Sequence, residues 1–307
     1  MTRIPLALVA GFLGSGKTTF LRHISARNDG RRLAFLVNDF AAIDVDAQIL
    51  SDLDGEIVSI PGGSIFCRCL ATTFINTLTR IASMPSPVDG VVIEASGMAD
   101  PRSLADMLRD SRLDERYDLA TVVSLVDPGT FRKLLATLPA MRTQVECADV
   151  VLLNKIDAFD EGTLQDTEDA IRSVRDDVPV VRCIRGDAPV RFFRGTSNAL
   201  AVHGDPTPCR DASFLSATFR FRAPRNVGTV AEILNRHGRI LWRAKGFVPT
   251  ETGLIEMHWT MRAGGCCGHL DLQPATTSAA RPALVLIARG NAEEELGQLV
   301  EALRRGR

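Results

Sequence analysis

The sequence has no excess of basic residues. Its 36 Lys and Arg stand against 37 Asp and Glu, for a formal net charge of -1. A surface for a polyanion needs clustered positive charge, so nucleic acid is not an expected partner. No uninterrupted apolar run is long enough to span a bilayer, and no membrane role is expected. Internal repeats and low-complexity tracts are also missing. Nor is a cleaved leader expected. Residues 1–14 carry one basic residue and then an apolar stretch, but cleavage near Ala10 would destroy the glycine-rich motif that begins at Gly11. That stretch reads instead as a first core strand. The seven cysteines are Cys67, Cys69, Cys147, Cys183, Cys209, Cys266 and Cys267. An odd count without a secretory leader reads as free thiols in a reducing cytoplasm.

What is present is ordinary in bulk and specific in detail. The chain has 307 residues, 45% hydrophobic and 24% charged, which suits one large and one smaller globular domain. Gly11-Phe12-Leu13-Gly14-Ser15-Gly16-Lys17-Thr18-Thr19 matches the phosphate-loop pattern G-x-x-x-x-G-K-[ST] in full. An apolar run, Ile4 to Ala10, precedes it, and Thr19 to Ile24 reads as the start of a helix. Gly11, Gly14 and Gly16 let the backbone turn tightly against a phosphate. Backbone N–H groups, Ser15 and Thr19 among them, then converge on the anion at the positive end of the helix. Lys17 brings a charge to the β- and γ-phosphates, and the Thr18 hydroxyl is placed to ligate Mg²⁺.

Further apolar strands are expected at Arg32–Asp39, Glu56–Ile60, Val88–Glu94, Ala120–Val126, Val150–Leu153 and Val178–Arg182. Helices are expected over Leu70–Met84 and Asp166–Asp176. Alternation of this kind gives an α/β fold, a P-loop NTPase parallel sheet with helices on both faces. Ligands in such sheets sit at the carboxyl ends of the strands. A Pro- and Gly-bearing stretch without periodicity marks a linker, giving domains at 1–195 and 213–307 with the linker at 196–212. The smaller domain reads as α+β. Its strands are Phe214–Phe221, Ile240–Phe247, Gly253–Met261 and Ala283–Ala288, with helices Asn226–His237 and Glu293–Arg304.

Two more stretches refine the chemistry. Glu94 ends a buried strand and stands where an acidic residue holds Mg²⁺ through water, and Gly97 is placed to donate its N–H to a γ-phosphate as a second switch. Asn154-Lys155-Ile156-Asp157 has the N-K-x-D form. The Asp157 carboxylate can accept two N–H bonds from a guanine edge, which adenine does not offer. GTP is therefore expected over ATP, and the alternative of an ATP-dependent kinase is disfavoured. Hydrolysis needs positioning and charge neutralisation, for which Lys17, Glu94 and Asp46 are the candidates. Asp39 and Asp46 lie in the place of a first switch and are candidates for ordering water or Mg²⁺. The alternative for each is a solvated loop acid.

These stretches together resemble the CobW family of GTPases, relatives of the hydrogenase and urease nickel-insertion GTPases. The likeness extends to Asn38-Asp39-Phe40 through Asp46, to Glu94-Ala95-Ser96-Gly97-Met98-Ala99-Asp100-Pro101, and to Arg243-Ala244-Lys245-Gly246-Phe247. The resemblance implies a slow cytoplasmic GTPase that delivers or inserts Zn²⁺ or Co²⁺ into a client metalloprotein or cofactor. One departure bears on that reading. The family's G-C-x-C-C run is here Gly63-Ser64-Ile65-Phe66-Cys67, with Cys69 two residues on. Hydroxyl and phenyl groups do not replace thiolates at zinc. Cys67 and Cys69, with Asp39 as a third ligand, are the candidates for a rebuilt site, and two structural thiols are the alternative. A regulatory GTPase that has lost the metal site therefore stays open. Cys266-Cys267-Gly268-His269 reads as a flexible glycine-flanked loop that either carries incidental thiols or binds zinc with ligands from elsewhere. His203, His237 and His258 are isolated and read as surface or packing residues.

Overall fold

The computed structural model describes residues 3–27, 30–39, 56–61, 71–193, 197, 214–261, 268–275 and 280–306. The chain divides into two compact units. In the first, β1 (Ile4–Gly11), β2 (Leu33–Asp39), β3 (Glu56–Pro61), β4 (Gly90–Glu94), β5 (Tyr117–Val126), β6 (Val150–Leu153) and β7 (Val180–Arg182) form one sheet. Its order is β3-β2-β4-β1-β5-β6-β7. β1 pairs in parallel with β4 and β5, β2 with β4, and β6 with β5 and β7. Leu, Val and Ala fill both faces of the inner strands, as expected where helices cover a parallel sheet on both sides.

Among the described residues this unit has the helices α1 (Lys17–Ala26), α2 (Ala71–Ala82), α3 (Arg102–Asp110), α4 (Phe131–Leu135), α5 (Pro139–Glu146) and α6 (Glu161–Val174). On α2, Phe74, Leu78 and Ile81 form one stripe and join the core with Leu6, Leu8, Val91 and Ile93. Each such buried side chain contributes roughly 1.5–3 kcal/mol. The Tyr117 hydroxyl donates to Leu78 O at 2.7 Å, so this core carries no unsatisfied phenol. α6 begins five residues before the expected start, because the Asp160 carboxylate accepts the Thr163 N–H at 2.9 Å and caps it there. The short helices α3, α4 and α5 were not assigned from sequence. At nine, five and eight residues they make too few turns to show a period.

The parallel registers position the site. Val9 lies opposite Glu94, Gly11 opposite Leu125, and Val126 opposite Leu153. The carboxyl ends of β4, β1, β5 and β6 therefore share one edge.

The second unit is an antiparallel sheet of order β11-β10-β9-β12-β8. Its strands are β8 (Phe214–Arg220), β9 (Leu241–Thr250), β10 (Gly253–Met261), β11 (Gly268–Pro274) and β12 (Ala283–Arg289), with helices α7 (Val227–Arg236) and α8 (Glu293–Arg305). Leu234, Leu299, Met257 and Trp259 are central to its core. Gly246, at φ 155°, has room for no side chain, since a Cβ there would lie 1.9 Å from Ala283 O. β11 is a departure from the expected loop at residues 264–269. Asn235 Oδ1 accepts both Trp259 Nε1–H at 2.8 Å and Gly268 N–H at 3.1 Å, which ties the start of this strand to α7 and β10. His269 thus stands on the edge strand opposite Thr260.

The face of this sheet away from α7 and α8 carries charge in mid-strand. Lys245 and Glu256 are both buried there. His258 Nε2 lies 2.5 Å from Glu256 Oε1, and its cross-strand partner on β9 is Lys245. Desolvation holds the His258 pKa down, to about 4. Repulsion from Lys245 and Arg243 adds to this, and the Glu256 carboxylate opposes it. Among the described residues no helix is long and apolar enough to cross a membrane.

Candidate functional site

The phosphate loop leaves β1 through three left-handed glycines, Gly11 at φ 138°, Gly14 at 77° and Gly16 at 107°. A Cβ on Gly11 would meet Leu125 O at 2.5 Å, and one on Gly16 would meet Asn154 Nδ2 at 2.3 Å. The loop is therefore closed by its surroundings as well as by its own turns. Lys17 is buried, and its Nζ donates to Gly11 O at 2.9 Å and Phe12 O at 3.1 Å, arching over the loop. Thr19 follows half-buried on α1.

Thr18 Oγ1 donates to Glu94 Oε1 at 3.2 Å, and both side chains are buried. A hydroxyl and a carboxylate side by side are hard oxygen donors, the set that suits Mg²⁺. Two other buried hydroxyls, Ser15 Oγ and Ser96 Oγ, have no hydrogen-bond partner among the described residues. Buried polar groups without partners are uncommon, and these two flank the Thr18–Glu94 pair in sequence, on the phosphate loop and just beyond β4. The residues present thus fit both a phosphate chain and a magnesium ion.

The N-K-x-D residues follow β6. Asn154 Nδ2 donates to Ser15 O at 2.8 Å, and Asn154 Oδ1 accepts Gly186 N–H at 2.8 Å. One amide therefore joins the phosphate loop to the turn after β7. Lys155 sits at φ 62°, and its Nζ meets Asp127 Oδ2 at 2.7 Å, while Asp127 Oδ1 accepts Gly129 N–H at 2.9 Å. Asp157 is exposed, within a short 3-10 turn, Ile156–Ala158. The turn after β7 has two successive left-handed residues, Arg185 and Gly186. A Cβ on Gly186 would press on the Phe20 backbone at 3.1 Å, and the His23 ring lies 3.1 Å from Arg185 O. This turn is docked on α1. Next to it, Cys183 is buried, and that burial pushes its thiol up to about 11.

The loop after β4 is held on several sides. Gly97 packs on the phosphate loop, where a Cβ would lie 2.6 Å from Leu13 N. Asp100 takes the Arg102 guanidinium in a fork, with Nη2 at 2.6 Å and Nε at 3.0 Å. Gln144 Nε2 on α5 reaches Gly97 O at 3.2 Å and Ala99 O at 3.1 Å. Cys147, just past α5, is buried beside the Asp100–Arg102 pair. Desolvation, with Asp100 adding to it, pushes its thiol up to about 12.

Comparison with known proteins matches residues 5–182 to the family model described as "CobW/HypB/UreG, nucleotide-binding domain". The chain belongs to the CobW/HypB/UreG family. A relative from Pseudomonas aeruginosa, "Zinc chaperone CobW", is 26% identical over 240 residues, covering 68% of this chain and 64% of that protein. "Zinc chaperone YjiA" from Escherichia coli is 31% identical over 201 residues, covering 64% of this chain and 63% of the relative. The matched part thus spans less than two thirds of either relative's length. Among solved structures, the Zn(II)-bound YjiA GTPase from E. coli aligns over 100% of both chains at 23% identity and a TM-score of 0.50, a likeness of fold.

Of the residues expected from sequence, the structure brings Gly11, Gly14, Ser15, Gly16, Lys17, Thr18, Glu94, Gly97 and Asn154 together around the phosphate loop. Asp46, Cys67 and Cys69 lie outside the described residues, as do Cys266 and Cys267. Asp39 closes β2 by its backbone, and its side chain lies outside the description. Among the described residues no group of three or more His, Cys, Asp or Glu side chains is placed to hold a metal ion. Asp127, Gln144 and Gly186 were missed from sequence. Each acts through a partner distant in the chain, and only Asp127, a polar residue at a buried strand end, carries a local signal.

Proposed function

We propose that this chain binds GTP with Mg²⁺, hydrolyses it slowly, and couples the nucleotide state to delivery of zinc or cobalt to a client metalloprotein or metal-cofactor pathway. The observation that carries the nucleotide half is the buried Thr18–Glu94 pair beside a closed phosphate loop. The metal half is supported by relatives named as zinc chaperones. Magnesium, when bound, neutralises phosphate charge. Thr18 would hold it directly and Glu94 through water. Lys17 leaves the loop carbonyls for the phosphates. Gly97 offers its N–H to the γ-phosphate, and Asp46 orders the water that attacks. Asn154 and Lys155 fix the base loop, and Asp157 accepts the guanine N–H groups. Cys67 and Cys69, with Asp39, are the proposed ligands of the cargo metal, in a segment that lies between the two switches in sequence.

Two titrations test this reading. GTP should bind well above ATP, and Asp157→Asn should move preference toward xanthosine nucleotide; equal ATP binding sinks the guanine assignment. Zinc or cobalt titration of reduced protein, with and without GTP, should weaken in Cys67→Ser. Unchanged affinity there excludes that site, and no metal binding in the wild type leaves a guanine-nucleotide switch without cargo.

A further inference from the structure

The loop from Ala95 to Asp100 has fixed ends. Ala95 N–H is bonded to Val9 O at 3.0 Å, which continues the sheet for one more residue. Asp100 is buried in its fork with Arg102, at the start of α3. Between these ends, the loop carbonyls at Gly97 and Ala99 both face Gln144.

A primary amide nitrogen carries two protons, and here each has one carbonyl to meet. Gln144 is 2% exposed, so water is poorly placed to substitute for it. On the opposite side Gly97 abuts Leu13 of the phosphate loop with no room for a methyl group. The loop is thus gripped between the phosphate loop and one amide. Loss of that amide would leave two buried carbonyls unsatisfied, a cost met most easily if the loop shifts toward solvent. Gln144 itself sits on a helix whose neighbouring residues Ala140, Met141 and Val145 are buried apolar groups, so its place is set by packing.

We infer that Gln144 is a positioning residue for the second switch. It holds the Gly97–Met98 and Ala99–Asp100 peptides by their carbonyls so that the Gly97 N–H is preset for a γ-phosphate. This rests on the GTP reading proposed above, and it adds a prediction that reading does not make. A γ-phosphate is present in GTP and absent in GDP, so the contribution of Gln144 belongs to the triphosphate alone.

The test compares Gln144→Met, close in volume and without donors, and Gln144→Glu, close in shape and unable to donate when ionised. Calorimetric titration with GTPγS and with GDP should show GTPγS affinity falling about tenfold, the effect of losing one to two net hydrogen bonds, with GDP affinity within about twofold of wild type. Equal losses for both nucleotides, or no loss for either, overturn the inference. A wild type that binds neither guanine nucleotide overturns the GTP reading instead. Hydrogen exchange of the nucleotide-free protein separates the two failures, because it needs no ligand. Amides at residues 97–100 should exchange faster in both variants, and unchanged exchange there also overturns the role of Gln144. If Gln144→Met fails to fold, Gln144→Glu carries both measurements.

Discussion

The two sheets handle polar groups in opposite ways. The parallel sheet keeps charge out of the middle of its inner strands and gathers its functional groups at one edge, where Gly11, Glu94, Asp127 and Asn154 follow or end four adjacent strands. The antiparallel sheet places Lys245, Glu256 and His258 in the middle of its strands, on one face. The difference follows from connectivity. A parallel strand runs into a loop and then a helix, so its end offers free backbone N–H groups and a helix dipole. A hairpin strand has no such end, and charge on its face is tolerated only when countercharges stand beside it. The first arrangement suits ligands that come and go. The second suits permanent internal neutralisation.

The strongest challenge to this contrast is at the strand edge. Lys17→Ala should lower GTP turnover by about 10³-fold or more, because the lost charge acts inside a buried loop. Near wild-type phosphate release in a steady-state assay would break the idea that the edge does the work. Next comes the antiparallel sheet's own constraint. Gly246→Val should cost about 3 kcal/mol or more from strain and overpacking at Ala283 O, read as a lower urea midpoint, while the parallel sheet's nucleotide binding is judged separately.

A smaller effect should come from the mid-strand charges. Folded His258 is held near 4, against about 6.5 for an unfolded histidine. Between those values the unfolded chain binds more protons, so stability falls as the pH falls through that window. From pH 7.5 to pH 5 the loss attributable to this largely buried ring should be about 1–2 kcal/mol, and His258→Gln should remove it. The same slope in both proteins by urea unfolding would show that burial on this face does not hold the ring neutral. The smallest expected effect is at the base loop. Asp127→Asn leaves Lys155 without its carboxylate, and GDP affinity should drop about tenfold by titration. No change would mean that Lys155 keeps its place through its left-handed backbone alone.

How far the sequence could be read follows the same division. The buried inner strands of the parallel sheet are apolar runs and are visible as such. The glycine motif and N-K-x-D are contiguous, so their chemistry is local and legible. Gln144 lies 47 residues from Gly97, and Lys155 lies 28 from Asp127, so those contacts exist only once the sheet brings them together. Strand β11 is a different kind of miss. His269-Leu270-Asp271-Leu272-Gln273 alternates as a strand should, but the adjoining glycine-flanked Cys266-Cys267 pair drew the reading toward a flexible loop.

Asn154 has one further consequence. Its two amide atoms face partners of opposite kind, the acceptor Ser15 O and the donor Gly186 N–H. The side chain therefore has a fixed polarity, and of the twenty residues only an amide of this length satisfies both ends. Aspartate would turn an attraction to Ser15 O into a repulsion, and its extra charge would sit beside the place where phosphates must enter. A single hydrolysed amide, with no change in shape, would be enough to set the phosphate loop against its own ligand.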